Sequence, residues 1–189
     1  DTTTLSFSNV RYGSNVDFNL KDDYLISGTI VHRKTKNNMG QSESYQIDQL
    51  EFQRIAEDAQ AGTSGTAFDT KSKEYLQVRN YNYSLVDDYG SGSNGIRTLT
   101  SRGTIIGQPD LADYRYSFDF NTSTPFKMDE TVLNNYKHLP KEGVLRIKDS
   151  YDQVIEVKQN QPESLKATVY FNGSEIEDLL WSTIIGNKQ

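Results

Sequence analysis

His32 and His138 are the only histidines in a chain that has no cysteine, and they limit its nucleophilic and metal chemistry. A catalytic triad needs a His beside a Ser and an Asp, and no Gly-x-Ser-x-Gly elbow is present to present such a Ser. The two residues are far apart, with neither His-x-x-x-His nor His-x-His spacing for a metal. His32 sits in an alternating segment beside Arg33 and Lys34, and His138 in a Pro-bounded connection before Pro140. Both therefore read as surface or structural residues. The absence of Cys removes disulfides, thiolate nucleophiles and sulfur-ligated metals together. No Gly-x-Gly-x-x-Gly follows a strand and opens a helix, and no Walker motif occurs, so no cofactor is expected.

The most unusual composition runs from Asp87-Asp88-Tyr89 through Gly90 to Gly95. Paired carboxylates beside a glycine-rich turn can offer oxygen ligands to Ca²⁺, but the spacing fails the EF-hand pattern. It reads instead as a long hairpin loop, and no metal site is expected. Tyrosine gives a stronger signal, because rigid amphipathic rings suit binding surfaces. Tyr81, Tyr83 and Tyr89, with Asp87 and Asp88, form the candidate binding site: a strand holds the rings and the loop supplies adaptable polar groups. Sheet packing explains the same tyrosines without a ligand. Asn-x-Ser/Thr triplets at Asn82, Asn121 and Asn172 would accept glycans only in a eukaryotic secretory route, and read as chance matches.

The elements that must position these residues are strands. Gly, Asn, Asp and Pro clusters cut the chain into short pieces, from Tyr12-Gly13-Ser14-Asn15 to Asn172-Gly173. Between them the period is two, most clearly where Tyr114, Tyr116, Phe118 and Phe120 alternate with Arg115, Ser117 and Asp119. Leu5/Phe7, Ile26/Gly28/Ile30, Tyr81/Tyr83/Leu85, Leu145/Ile147, Ile155/Val157 and Ala167/Val169/Phe171 repeat the pattern. One-sided burial marks antiparallel sheets. Two segments admit a helix: Ile47 to Ala59, where a strand through Phe52 is preferred, and Ser174 onward, where Ser174 and Glu177 match a capping box. Asn172-Gly173 after a good strand favours a hairpin there. The fold class is therefore all-β: an antiparallel sandwich or open barrel of roughly eight to twelve strands with little helix, as one domain over residues 1–189. The strand from Tyr114 to Phe120 is expected in the core.

Twelve Tyr, eight Phe and one Trp argue for a folded chain, although its 34% apolar content implies a thin core. A net charge of −6 and the lack of a long basic run argue against nucleic acid as a partner. No stretch approaches the roughly 20 apolar residues of a membrane helix. The start at Asp1 instead of Met is read as a processed or trimmed N-terminus, with which a lipid anchor could have been lost.

The last third runs from Leu139-Pro140-Lys141-Glu142-Gly143 through Leu145-Arg146-Ile147 and Val154-Ile155-Glu156-Val157 to Val169-Tyr170-Phe171-Asn172-Gly173 and Trp181. It resembles the C-terminal region of exported β-rich proteins, often described as lipoproteins, of Gram-negative bacteria. This implies a place in the envelope (periplasmic, outer-membrane-associated or secreted) and a non-enzymatic role. Asn172-Gly173-Ser174-Glu175 departs from the acidic Asp/Gly-rich turn of that pattern, which counts against a cation role there. The expected function is binding or structural, with a protein or glycan partner. Alternatives are a carrier of lipid or another apolar ligand, and a hydrolase of envelope polymers using paired carboxylates.

Overall fold

The computed structural model describes residues 1–12, 24–54, 74–89, 95–109, 114–129, 139–162 and 164–184. Within them the chain forms ten antiparallel strands in one open sheet, in the class and number expected. The strands are β1 (Thr2–Tyr12), β2 (Tyr24–Asn37), β3 (Gly40–Arg54), β4 (Tyr75–Asp88), β5 (Ile96–Gln108), β6 (Tyr116–Asp129), β7 (Glu142–Asp149), β8 (Val154–Lys158), β9 (Lys166–Phe171) and β10 (Ser174–Leu180). A single helical turn, α1 (Trp181–Ile184), follows. Spatial order equals chain order, β1 to β10. Each strand therefore pairs only with its neighbours in sequence.

Both contested segments open as strands: β3 runs through Phe52 to Arg54, residues 55–59 lying outside the described ones, and Asn172-Gly173 forms the β9–β10 turn, both residues at positive φ, with β10 giving way to a helical turn only at Trp181. His138 and the loop residues Gly90 to Asn94 lie outside the described residues. One expectation needs correcting. Tyr114 precedes β6 and is exposed, and Phe118, though on the apolar face, is 38% exposed and so not a core residue. Phe118 lies in a row where this face is left open, whereas the buried ring of β6 is Phe126.

Paired residues on neighbouring strands share a face, so the register sorts the side chains. One row runs Ile26, Phe52, Leu76, Gly107, Tyr116; the next runs Phe7, Gly28, Leu50, Val78, Ile105, Phe118. A third crosses Leu5, Ile30, Ile47 and Tyr81, then continues from Phe120 through Ile147 and Ile155 to Phe171. This is an apolar face. The opposite face carries Glu51 with Gln77, and Thr104 with Asp119, joined by hydrogen bonds of 3.1 and 2.7 Å.

The rows stay aligned because β3 and β4 slip together. Leu50 pairs Val78 and Ile47 pairs Tyr81, yet Ile47 and Leu50 are both buried while Asp48 and Gln49 between them are exposed. An even-numbered inward set thus becomes an odd-numbered one, as a bulge requires. On β4 the slip falls at Arg79 and Asn80, both exposed, with Asn80 at φ 50°. The registers against β2 and β5 shift at the same level.

Large side chains close over the sheet at one corner. Phe126 lies across Gly143, whose φ of 147° and lack of a side chain make room for the ring. Trp181 meets Phe126 edge-on, with centroids 5.7 Å apart, above the apolar-face residues Val157 and Ala167, both buried. The indole N–H donates to Gln159 Oε1 at 2.7 Å, while Gln159 Nε2 donates to the carbonyls of Gln161 and Ser164. Every polar group of this buried amide has a partner, so its burial carries little penalty.

Candidate binding face

The slip in β4 decides where the predicted tyrosines point. Beyond Asn80, Tyr81, Tyr83, Leu85 and Asp87 join the apolar face, and Asn82 and Asp88 turn to the other. Tyr81 is half-buried, its ring 6.1 Å from Phe120 across Gly103, where no side chain intervenes. Tyr83 is half-buried with its ring 6.0 Å from Tyr45. Tyr89 stands past the end of β4, 37% exposed, its N–H bonded to Met39 O at 2.9 Å. The five candidates therefore separate: Tyr81, Tyr83 and Asp87 share the face, Asp88 lies behind it, and Tyr89 stands at its end.

Asp87 is 2% exposed. Arg97 Nε donates to Oδ1 at 2.6 Å and Nη2 to Oδ2 at 3.0 Å, and Gln41 Nε2 donates to Oδ2 at 2.6 Å. A two-pronged guanidinium contact of this kind is strong and orienting. It locks the ends of β3, β4 and β5 together.

Beside Tyr83 lies a group that sequence reasoning did not assemble. His32 stacks on Tyr45 at 4.6 Å. Its Nε2 donates to Glu43 Oε1 at 2.9 Å, and the Tyr45 hydroxyl donates to the same oxygen at 2.8 Å. The Tyr45 hydrogen bond, with smaller help from His32 and Lys34, holds the Glu43 carboxyl below its ordinary range. The same bond raises Tyr45, while burial is the main cause that raises Tyr83. A signal did exist. Taking Asn38-Met39 as a two-residue hairpin loop pairs Asn37 with Gly40, and counting back pairs His32 with Tyr45.

Along the strands the face changes character. The rows at the Phe52, Leu76 and Tyr116 end are apolar, and Leu76 and Phe118 remain exposed among them, as do Leu5, Val10, Ile155 and Phe171 elsewhere on the face. An open groove of about 470 Å³ lies at this end, lined by Phe52, Leu76, Pro109 and Tyr116 and, from the neighbouring positions, by Glu74, Tyr75 and Gln108. The rows beyond Ile47 are polar: His32, Tyr45, Tyr83 and Ser101, then Lys34 and Glu43 beside Leu85 and Leu99, then Gln41, Asp87 and Arg97. Among the described residues no group of His, Asp and Glu is placed to hold a metal, and no helix is long and apolar enough to cross a membrane. Compared with protein families, curated proteins and solved structures, the chain matches none.

Proposed function

We propose that the protein is a non-catalytic binding protein that works outside the cytoplasm and holds its partner against the apolar, tyrosine-bearing face of the sheet. The observation that carries this reading is the gathering of exposed large apolar side chains on one face, Leu5, Leu76, Phe118, Ile155 and Phe171 among them, whereas on the other Val86, Ile96 and Leu180 stand among polar residues. Exposed apolar area gathered on one surface is the ordinary mark of an interaction site. Tyr81 and Tyr83 on the same face add rings with few rotatable bonds.

The non-catalytic part rests on the carboxylates. A glycosidase acid must keep its proton, which calls for a raised pKa. Glu43 is held in its ionised form by two donors, and Asp87 is clamped by Arg97. The location is supported by the cysteine-free composition and by the resemblance of the last third to exported β-rich proteins.

The test uses an environment-sensitive apolar dye. The protein is expected to bind it saturably, and a double variant Leu76→Lys, Phe118→Lys to lose at least tenfold in affinity with a far-ultraviolet circular dichroism spectrum like the parent's. Equal dye binding by parent and variant would remove this face from consideration.

A further inference from the structure

Resting on that reading of the face, we infer that the ligand is a single-chain amphiphile lying along the strands. Its apolar chain covers Leu76, Val78, Ile105 and Phe118, and its polar, net-uncharged head reaches the His32–Glu43–Tyr45–Tyr83 group. The direction comes from the change of polarity along one face. From Phe52 to Tyr45 on β3 is seven residues, roughly 23 Å at about 3.3 Å per residue, so one extended chain runs from the apolar groove to the polar row. Apolar contact supplies affinity along that length, growing with each CH₂ buried.

The head group follows from the charges that face it. In the row next to the head, Lys34 and Glu43 are paired across β2 and β3, with Asp1, which carries both an ammonium and a carboxylate, beside Lys34; one row further on Arg97 and Asp87 neutralise each other, and Lys36 stands at the β2 end of that row. The charges adjoining the head therefore cancel, and Lys36 lies a row beyond them, so nothing next to the head prefers an anionic or a cationic one. The hydroxyl of Tyr83 and the edges of the stacked His32 and Tyr45 rings offer hydrogen bonds instead.

A second copy of the chain fits the face less well. Stacked with strands parallel, two copies would press Glu43 and Lys34 of one onto those of the other; stacked antiparallel, they would set these charges on the apolar rows. Either arrangement takes charges out of water without new partners, which is unfavourable.

The experiment titrates the protein with monomeric amphiphiles of one chain length carrying a neutral glycerol, a carboxylate or an amine head, and follows methyl and ring resonances by NMR. The glycerol head is expected to bind at least fivefold tighter than either charged head. A spin label at the chain terminus should broaden Leu76, Val78 and Ile105, and a label beside the head should broaden Tyr45 and Tyr83. The double variant Tyr45→Phe, Tyr83→Phe should abolish the preference for the neutral head. Dye binding with no preference among heads, or with the reverse order of broadening, overturns this inference and leaves the binding face standing. Loss of both dye and amphiphile binding overturns both. A concentration-dependent dimer in sedimentation that Leu76→Lys dissolves would assign the face to a second copy and overturn the amphiphile.

Discussion

The two ends of the sheet solve the same problem differently. At the corner formed by β6 to β10, strands of five to eight residues follow the long β6, and Phe126, Trp181 and Gln159 close over Val157 and Ala167. The long strands β2 to β5, of 13 to 15 residues, hold only Ile47, Leu50 and a few others buried on their apolar face. The corner covers Val157 and Ala167 while Ile155 and Phe171 at its margin stay exposed, and the long strands leave theirs half open. Stability and binding are thus expected to depend on different residues, although one continuous ladder joins the two regions.

The largest test of that division is Phe126→Ala. Removing a buried ring that rests on Gly143 and Trp181 should cost about 3–5 kcal/mol in urea unfolding. A loss below about 1 kcal/mol would mean the corner is not the centre of stability. Next is Asp87→Ala at the far end of the long strands. It leaves Arg97 without its carboxylate, and should cost about 3 kcal/mol. Guanidinium pairs on an open surface contribute far less, so a loss of a few tenths would show that the clamp is solvated in practice.

Phe118→Ala should cost only about 1–2 kcal/mol, because a partly exposed ring recovers only part of its transfer free energy on folding. Equal losses for Phe118→Ala and Phe126→Ala would erase the distinction between open face and closed corner. The smallest effect concerns acid. Glu43 has its folded pKa below its unfolded value, so its contribution is present above the unfolded pKa and is lost as pH falls through the folded one. Tyr45→Phe should therefore flatten the fall in melting temperature between about pH 5 and pH 3, by a small margin because Glu43 is solvent-screened. An unchanged acid profile would show that the Tyr45 hydrogen bond does not form in solution.

Much of the frame was legible in the residues. The pairs Leu5/Phe7, Ile26/Gly28/Ile30, Tyr81/Tyr83/Leu85, Leu145/Ile147, Ile155/Val157 and Ala167/Val169/Phe171 all fall on the apolar face. Period-two alternation is a local property, and each run reports its own sidedness. What alternation cannot report is the relation between two runs in one strand. Phe52 and Leu50 are even-numbered, Ile47 and Tyr45 odd-numbered, and nothing in Asp48-Gln49 announces that both pairs face the same way. Phe118 misled for a related reason: alternation shows which face a ring takes, but not whether anything covers that face.

The candidate site was legible by half. Tyr81 and Tyr83 stand where an alternating strand would put them, whereas Asp87 could be read as a loop ligand only because Arg97 lies beyond the loop, on the next strand. Glu43 and Tyr45 became a group with His32 through a register, and a register is a property of two strands.

The strict correspondence of chain order and spatial order has a mechanical consequence. The first and last strands lie on opposite edges, so a load applied between them draws the edges apart and meets each hydrogen-bonded ladder from the side. Such a sheet yields like a zip, one rung after another from its outermost strands, with no step at which many bonds must break at once. Force spectroscopy on the chain held by its two ends should record a long, low extension with no single dominant peak.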